Sequence, residues 1–379
     1  MKDMRKRVLV GISGGADSSA ACLLLMEQGY EVVGLTIRNF DMDSKIKPSE
    51  TLSVLDEPHY VCEARAMAES LGIDFFVADE REIFSSKIID PFVQDYLTGK
   101  TPNPCVNCNQ LFKFKVLEEW ADTLNCELIA TGHYARVVVQ DGWYFIRAGV
   151  DKSKDQSYFL WKLDQKVLSR ILFPLGDMYK KDVYEYLDNK GLNYFKHSSE
   201  SMEICFVESD YRDLIRERVK DLDKFIGPGK YIDESGKIIG EHRGYPYYTI
   251  GQRKGLGVAF GKPIFVLMID SEKNIVMLGD KEQLLQKELL VDNIKFPYRD
   301  EELIEWLARM NLKVKIRYRS PGVECRIVSA YTDGKILVSL KTPVSAVTPG
   351  QSAVFYSNDV VVGGAEITLQ KELYKYLNK

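Results

Sequence analysis

The chain of 379 residues has no long apolar run. The strongest near the N-terminus, Ala20 to Met26, falls far short of the roughly 20 residues that cross a bilayer. Lys2, Arg5, Lys6 and Arg7 lead into a strand-like stretch rather than a signal segment, so a cytoplasmic location with no membrane partner is expected. Strong charge is also missing: a net charge of −4 counts against a protein that coats nucleic acid by charge alone, although local basic patches remain compatible with binding it. Cysteines do not form an even framework, since Cys22, Cys62, Cys105, Cys108, Cys126, Cys205 and Cys325 are seven, scattered through a long chain. Any special cysteine is therefore expected to be catalytic, redox-active or metal-binding rather than a staple. Repeats and low-complexity tracts are absent, and 45% hydrophobic with 28% charged residues is the composition of an ordinary globular chain.

What is present begins at the N-terminus. Val8, Leu9, Val10 and Ile12 read as a short buried strand, and Ser13-Gly-Gly-Ala-Asp-Ser-Ser19 turns at once into an apolar helical run. Adjacent glycines let a backbone approach an anion closely, and the first N–H groups of the helix are free to bind it. Ser13, Ser18 and Ser19 add hydroxyl donors. The stretch has neither the Gly-Lys-Ser/Thr ending of a nucleotide-hydrolase P-loop nor the Gly-x-Gly-x-x-Gly of a dinucleotide site. Ser-Gly-Gly-x-Asp-Ser resembles instead the pyrophosphate loop of enzymes that split ATP into AMP and pyrophosphate.

The remaining order suggests three domains. Glu31–Ile37, Ile73–Ala78 and Glu127–Thr131 read as further buried strands, with helices over 59–71, 84–96 and 179–189, so the first part is an α/β domain with a parallel sheet. Ligands then lie beyond the carboxyl ends of the strands, which places Gly132 and His133 near the loop. Thr98 to Asn109 reads as a rigid loop broken by Gly99, Pro102 and Pro104, followed by a helix from Gln110 to Leu124. That would put Cys108 at a helix N-terminus, where a thiol's pKa falls. Helical periodicity fades after about 210; glycine-rich β structure follows, and evenly spaced strands beyond Val291 suggest a barrel. The expected division is 1–210, 211–287 and 288–379.

Taken together, Ser13–Ser18, Thr101–Pro104 with Cys108-Asn109, Thr131–Tyr134, Lys154–Phe159, Ile204–Phe206, Gly251–Gly257, Arg317–Arg319 and Ala346–Ser352 closely resemble the bacterial tRNA-specific 2-thiouridylases. These belong to the pyrophosphate-loop superfamily, whose first domain is adenine-nucleotide α-hydrolase-like. The resemblance implies ATP-dependent sulfuration of a tRNA wobble uridine at C2: adenylation of the C2 oxygen, then transfer of persulfide sulfur, releasing AMP and pyrophosphate. It implies Cys205 as the persulfide carrier and Cys108 as the nucleophile, with a disulfide closing between them. Gly11, Ile12, Ser13, Gly14, Gly15, Ala16, Asp17, Ser18, Ile37 and Gly132 would contact ATP, with Mg²⁺. Asn103, Pro104 and Cys105 would meet the target base, and His133, Lys154, Asp155, Gln156, Arg317, Tyr318 and Gln351 the tRNA. An upstream persulfide donor, a cysteine desulfurase or relay protein, would be a second partner.

The sequence departs from the family at position 105, where an aspartate commonly serves as acid/base and here Cys105 stands. Cys105, Cys108 and Cys205 could then hold a [4Fe–4S] cluster, as in certain other tRNA-thiolating enzymes; persulfide chemistry without metal and an incidental Cys105 are the alternatives. Cys22, Cys62, Cys126 and Cys325 read as small hydrophobes. Lys113 and Lys115, interleaved with Phe112 and Phe114, read equally as a solvated helix face or as phosphate contacts, and Arg253 with Lys254 as a phosphate or catalytic-loop contact between glycines on a loop. Two other classes share some features: an amide-forming ligase with the same loop, which needs no paired cysteines, and a non-catalytic RNA-binding protein with a relict loop.

Overall fold

Val8, Leu9 and Val10 are wholly buried, because the strand that contains them is central in its sheet and covered on both faces. In the computed structural model this strand, β1 (Arg7–Gly11), lies between β2 (Glu31–Arg38) and β4 (Leu128–Ala130); β3 (Asp74–Asp79) pairs beyond β2, and β7 (Ile171–Leu172) beyond β4. All four pairings are parallel. Parallel neighbours need crossovers. Helix α1 (Ala16–Glu27) supplies the first and α2 (His59–Leu71) the second. Cys22, Leu25, Ala64 and Met67 pack with β1 in one apolar cluster. A hairpin, β5 (Ala135–Gln140) and β6 (Trp143–Ala148), follows β4.

The structure describes residues 6–41, 57–192, 204–207, 210–258, 260–296, 307, 310–331, 333–369 and 372–373. They divide into two compact units: Met1–Ile88 with Cys105–Phe206 and Asp359–Val361, and Ile89–Pro104 with Val207–Asn358 and Val362–Lys379. No helix among the described residues is long and apolar enough to cross a membrane.

Two helices differ from the sequence reading. The helix expected over 84–96 is α3 (Arg81–Phe84), a π turn over Ser85–Ile89 and α4 (Asp90–Leu97). The loop expected from Thr98 to Asn109 ends early, because α5 (Pro104–Cys108) is already helical and runs through a π turn, Asn109–Lys113, into α6 (Phe114–Thr123). Proline is favoured in the first turn of a helix, since its missing N–H would have no partner there; Pro104 therefore starts the helix that it was expected to forbid. The first unit also holds α7 (Gln165–Leu168) and α8 (Lys180–Asn189).

In the second unit α9 (Tyr211–Arg218) and α10 (Leu222–Phe225) are parted at Asp221, with φ 58°. A mixed sheet follows in the order β10–β11–β8–β9, from β8 (Gly229–Ile232), β9 (Ile238–His242), β10 (Phe265–Asp270) and β11 (Ile275–Gly279). Tyr231, Tyr245, Tyr247 and Tyr248 are buried there, as a small β domain packed by tyrosines requires. The last strands are β12 (Leu285–Lys295), β13 (Leu312–Lys315), β14 (Val323–Ala330), β15 (Ile336–Ser345), β16 (Ser352–Ser357) and β17 (Val360–Ile367). Their order is β12–β15–β14–β13–β16–β17, and a β12–β17 pairing closes the barrel. Its interior holds Leu289, Val314, Val338, Phe355 and Val362.

Candidate active site

The carboxyl ends of β1, β2 and β4 open on a cavity of about 740 Å³ in the first unit. Gly11, Ile12, Ser13, Asp17, Ser18, Ile37, Gly132, His133 and Gln156 line it, and so do Cys108 and Cys205. Sequence positions nearly 200 apart are thus brought to one place by the strand-end rule and by one anchored segment.

The loop is built to hold its shape without a ligand. Gly14 has φ 77°, and a Cβ there would meet Glu63 Cβ at 2.9 Å, so only glycine satisfies both backbone and packing. Ser18 Oγ accepts from Ser13 N at 3.2 Å and donates to Gly15 O at 3.1 Å. Ser19 differs from the sequence reading: it is wholly buried and its hydroxyl donates to Gly15 O at 3.0 Å, so it braces the loop instead of offering a donor to an anion. Gly14, Gly15 and Ala16 shape the turn without lining the cavity. A Cβ on Gly132 would lie 2.9 Å from the Asp17 carbonyl carbon, which shows how closely the end of β4 approaches the start of α1.

Asp17 is fixed by two donors on the same oxygen, the Tyr134 hydroxyl at 2.7 Å and Lys180 Nζ at 2.7 Å, both to Oδ1. Its Oδ2 has no partner among the described residues. An anchored carboxylate with one free oxygen beside an anion-binding loop fits Mg²⁺, which takes one or two carboxylates and completes its shell with phosphate and water. The second carboxylate of the cavity, Asp41, is engaged by Arg38 at 2.7 Å and Arg81 at 2.6 Å.

The cysteines differ from expectation in one respect. Cys108 is not at a helix N-terminus but at the end of α5, inside a continuous helical run, and burial pushes its thiol up to about 11. Lys113 pulls the other way by its charge. Cys205 keeps an exposed face, yet the surrounding protein raises its thiol to about 12, and Cys105 and Cys108 add to that rise. Cys105, half-buried, is raised by burial as well. Phe206 anchors the segment that carries Cys205, its ring 5.7 Å from that of Phe84, which itself packs on Phe112 at 5.0 Å. The three thiols influence one another, but among the described residues no group of three or more His, Cys, Asp or Glu side chains is placed to hold a metal ion.

His133 is held by Thr131 Oγ1 at 2.6 Å from Nδ1 and by the rings of Phe114 and Phe173 at 6.0 and 5.9 Å. Burial and then Lys113 depress its pKa well below the usual 6.5, so it is neutral. Gln156 Oε1 accepts from Tyr134 N at 3.0 Å. Asp155 is buried, accepting from Gly149 N, Ser157 N and the Ser157 hydroxyl; it holds the turn on which half-buried Lys154 and Gln156 stand and does not face outward as a tRNA contact would. Ile37 lines the cavity.

The other expected contacts lie in the second unit. Asn103 and Pro104 end the 89–104 segment, and Gln351 Nε2 donates to Thr101 O at 2.9 Å and Pro102 O at 3.0 Å. Arg317 donates to the Ser345 and Ala346 carbonyls, with Tyr318 half-buried beside it. Arg253 lines a separate open groove with Lys262. Sequence reasoning missed Lys180 and left Lys113 undecided; nothing in local spacing ties residue 180 to a loop at residue 17. Cys62, expected on an apolar face, is exposed.

A parallel sheet with a serine-glycine loop at the strand end defines a nucleotide-binding α/β domain. Residues 6–209 match the family described as tRNA methyl transferase HUP domain, 219–280 its PRC-barrel domain, and 286–367 the aminomethyltransferase β-barrel domain. The chain is 50% identical over 376 residues (99% of this chain, 98% of the relative) to tRNA-specific 2-thiouridylase MnmA 3 of Phocaeicola vulgatus. It is 49% identical to the protein of the same name in Bacteroides fragilis, over 98% of this chain and 96% of that one. Identity is 42% to tRNA-specific 2-thiouridylase MnmA of Carboxydothermus hydrogenoformans, covering 97% and 99% of the two chains. The chain belongs to the tRNA-specific 2-thiouridylase MnmA family.

Proposed function

We propose that this protein uses ATP to replace the C2 oxygen of a tRNA wobble uridine by sulfur. The observation that carries the reading is that Cys108 and Cys205 line the same cavity as the pyrophosphate loop; an amide-forming ligase with this loop has no use for them. A uracil C2 oxygen is a poor leaving group, and its attack on the α-phosphate of ATP converts it into the oxygen of AMP while pyrophosphate departs. The loop N–H groups and Ser13 bind that pyrophosphate, and Mg²⁺ held through Asp17 would neutralise its charge. Ile37 packs on adenine and Gly132 leaves room beside the loop.

Sulfur arrives as a persulfide on Cys205, supplied by an upstream donor, a cysteine desulfurase or relay protein. Cys108 thiolate attacks the Cys205 Sγ; a Cys108–Cys205 disulfide forms, and the outer sulfur leaves as hydrosulfide with the bonding pair. Hydrosulfide attacks C2, AMP departs with the C–O pair, and the sulfur's proton is released. A dithiol reductant then restores both thiols. Asn103, Pro104 and Cys105 meet the base; His133, Lys154, Gln156, Arg317 and Tyr318 meet tRNA, while Asp155 and Gln351 act by holding the segments around them. The same reading divides the chain at about 210 and 287 and places it in the cytoplasm.

Purified protein incubated with unmodified tRNA, ATP and a persulfide source should yield 2-thiouridine by nucleoside mass spectrometry. Cys108→Ser and Cys205→Ser should each abolish it while tRNA binding persists. A fully active Cys108→Ser protein would refute the nucleophile, and iron in anaerobically purified protein would replace the metal-free route by a cluster on Cys105, Cys108 and Cys205.

A further inference from the structure

We propose that Lys113 is the counter-ion of the sulfur-transfer step, its ammonium balancing the negative charge that passes from Cys108 to the departing AMP. The proposal deepens the function given above and rests on it. Among the described residues that line the cavity, Lys113 is the only lysine or arginine. Both carboxylates there are already engaged, Asp17 by Lys180 and Asp41 by Arg38 and Arg81, and no carboxylate among the described residues pairs with Lys113. Lys113 ends the π turn over Asn109–Lys113 and lines the same cavity as Cys108 and Cys205.

Its charge acts on all three thiols in the direction of the anion, and on His133 in the direction of the neutral ring. Cys105 and Cys205 interact with Cys108 and oppose a second anion, and His133, which lines the same cavity, brings no positive charge.

Charge accounting shows why one cation is needed. A single negative charge resides first on Cys108 Sγ, then on hydrosulfide when the Cys205 persulfide S–S bond breaks, and finally on the oxygen that leaves C2 with AMP. No step adds or removes a charge apart from the proton released by the sulfur. An unbalanced anion in such a site costs several kcal/mol, and a fixed cation lowers each stage alike. Position 105, which commonly carries an aspartate in the family, offers neither a proton carrier at neutral pH nor a cation here, since burial raises the Cys105 thiol.

The test compares the full-length protein with Lys113→Met, Lys113→Gln and Lys113→Arg, each checked for folding by circular dichroism and thermal melting. Lys113→Met should thiolate tRNA about 10²–10³-fold more slowly with unchanged affinity for ATP. Iodoacetamide should modify Cys108 at least about tenfold more slowly at pH 8, as read by tandem mass spectrometry. Arginine should restore most of both rates, and glutamine stands in should methionine prevent folding. Wild-type alkylation of Cys108 in the methionine and glutamine variants overturns the proposal, as does a loss confined to ATP affinity. Alkylation is read without tRNA, so a wild-type protein that makes no 2-thiouridine sinks the proposed function and is recognised separately.

Discussion

Gly132 and Asp17 show how little room single residues have at the strand end. Gly132→Ala sets a Cβ 2.9 Å from the backbone of Asp17, so one of the two elements must shift. The expected cost is about 1–3 kcal/mol, with weaker ATP binding, read together by thermal shift with and without ATP. Lys180→Met leaves Asp17 with only the Tyr134 hydroxyl and should weaken binding of Mg·ATP more than of ATP without metal, in titration calorimetry. His242 gives a separate residue-scale signature in the second unit: burial depresses its pKa to about 4, and its Nδ1 accepts from Gly244 N at 3.1 Å. As pH falls from about 6.5 toward 4 the unfolded chain takes up a proton that the native ring refuses. Native stability therefore declines through that window, by up to about 1.4 kcal/mol per pH unit from this group. Urea unfolding at pH 6.5 and 5.0 should show a smaller decline in His242→Gln. Residues like these are only half legible in a sequence. The glycines and serines of the loop announce an anion site by their order, whereas the partners of Asp17 come from residues 134 and 180 and are set by tertiary packing.

The helical run from Pro104 to Thr123 is the element on which the chemistry depends. Hydrophobic spacing revealed α6, but a proline in a run of polar residues hid α5, because the same residue that breaks a helix interior favours its first turn. The π turn was invisible for a different reason: one extra residue per turn leaves no compositional mark. It places Lys113 and Cys108 together, so deleting the exposed Leu111 should restore an ordinary α register, rotate one relative to the other and lower thiolation by at least about 10² while far-UV dichroism is retained. Four strands of the parallel sheet, by contrast, were legible as apolar runs, whereas β7, two residues long, carries too short a run to announce itself. Cys205 was found by its motif, and the geometry adds the Phe206–Phe84 anchor that holds it in place.

At the scale of the whole molecule, a net charge of −4 makes nucleic-acid recognition a matter of local patches. On the proposed function, tRNA affinity should fall with salt in proportion to the few phosphates contacted, and Arg253→Gln with Lys254→Gln should reduce the log–log slope by about 1–2 if that loop touches the backbone. Filter binding at several salt concentrations measures it. The closed barrel carries a consequence for how the protein is made. Its first strand, β12, and its last, β17, pair with each other across the whole of the intervening chain. A ribosome adding about 5–20 residues per second needs several seconds to pass from one to the other. Throughout that time β12 presents an unpaired edge and the apolar side chains of Leu289 and Val291, and premature termination anywhere before β17 leaves an open, adhesive sheet. Nascent chains stalled within this region are therefore the form of the protein most dependent on chaperones, although the finished barrel has no edge left to protect.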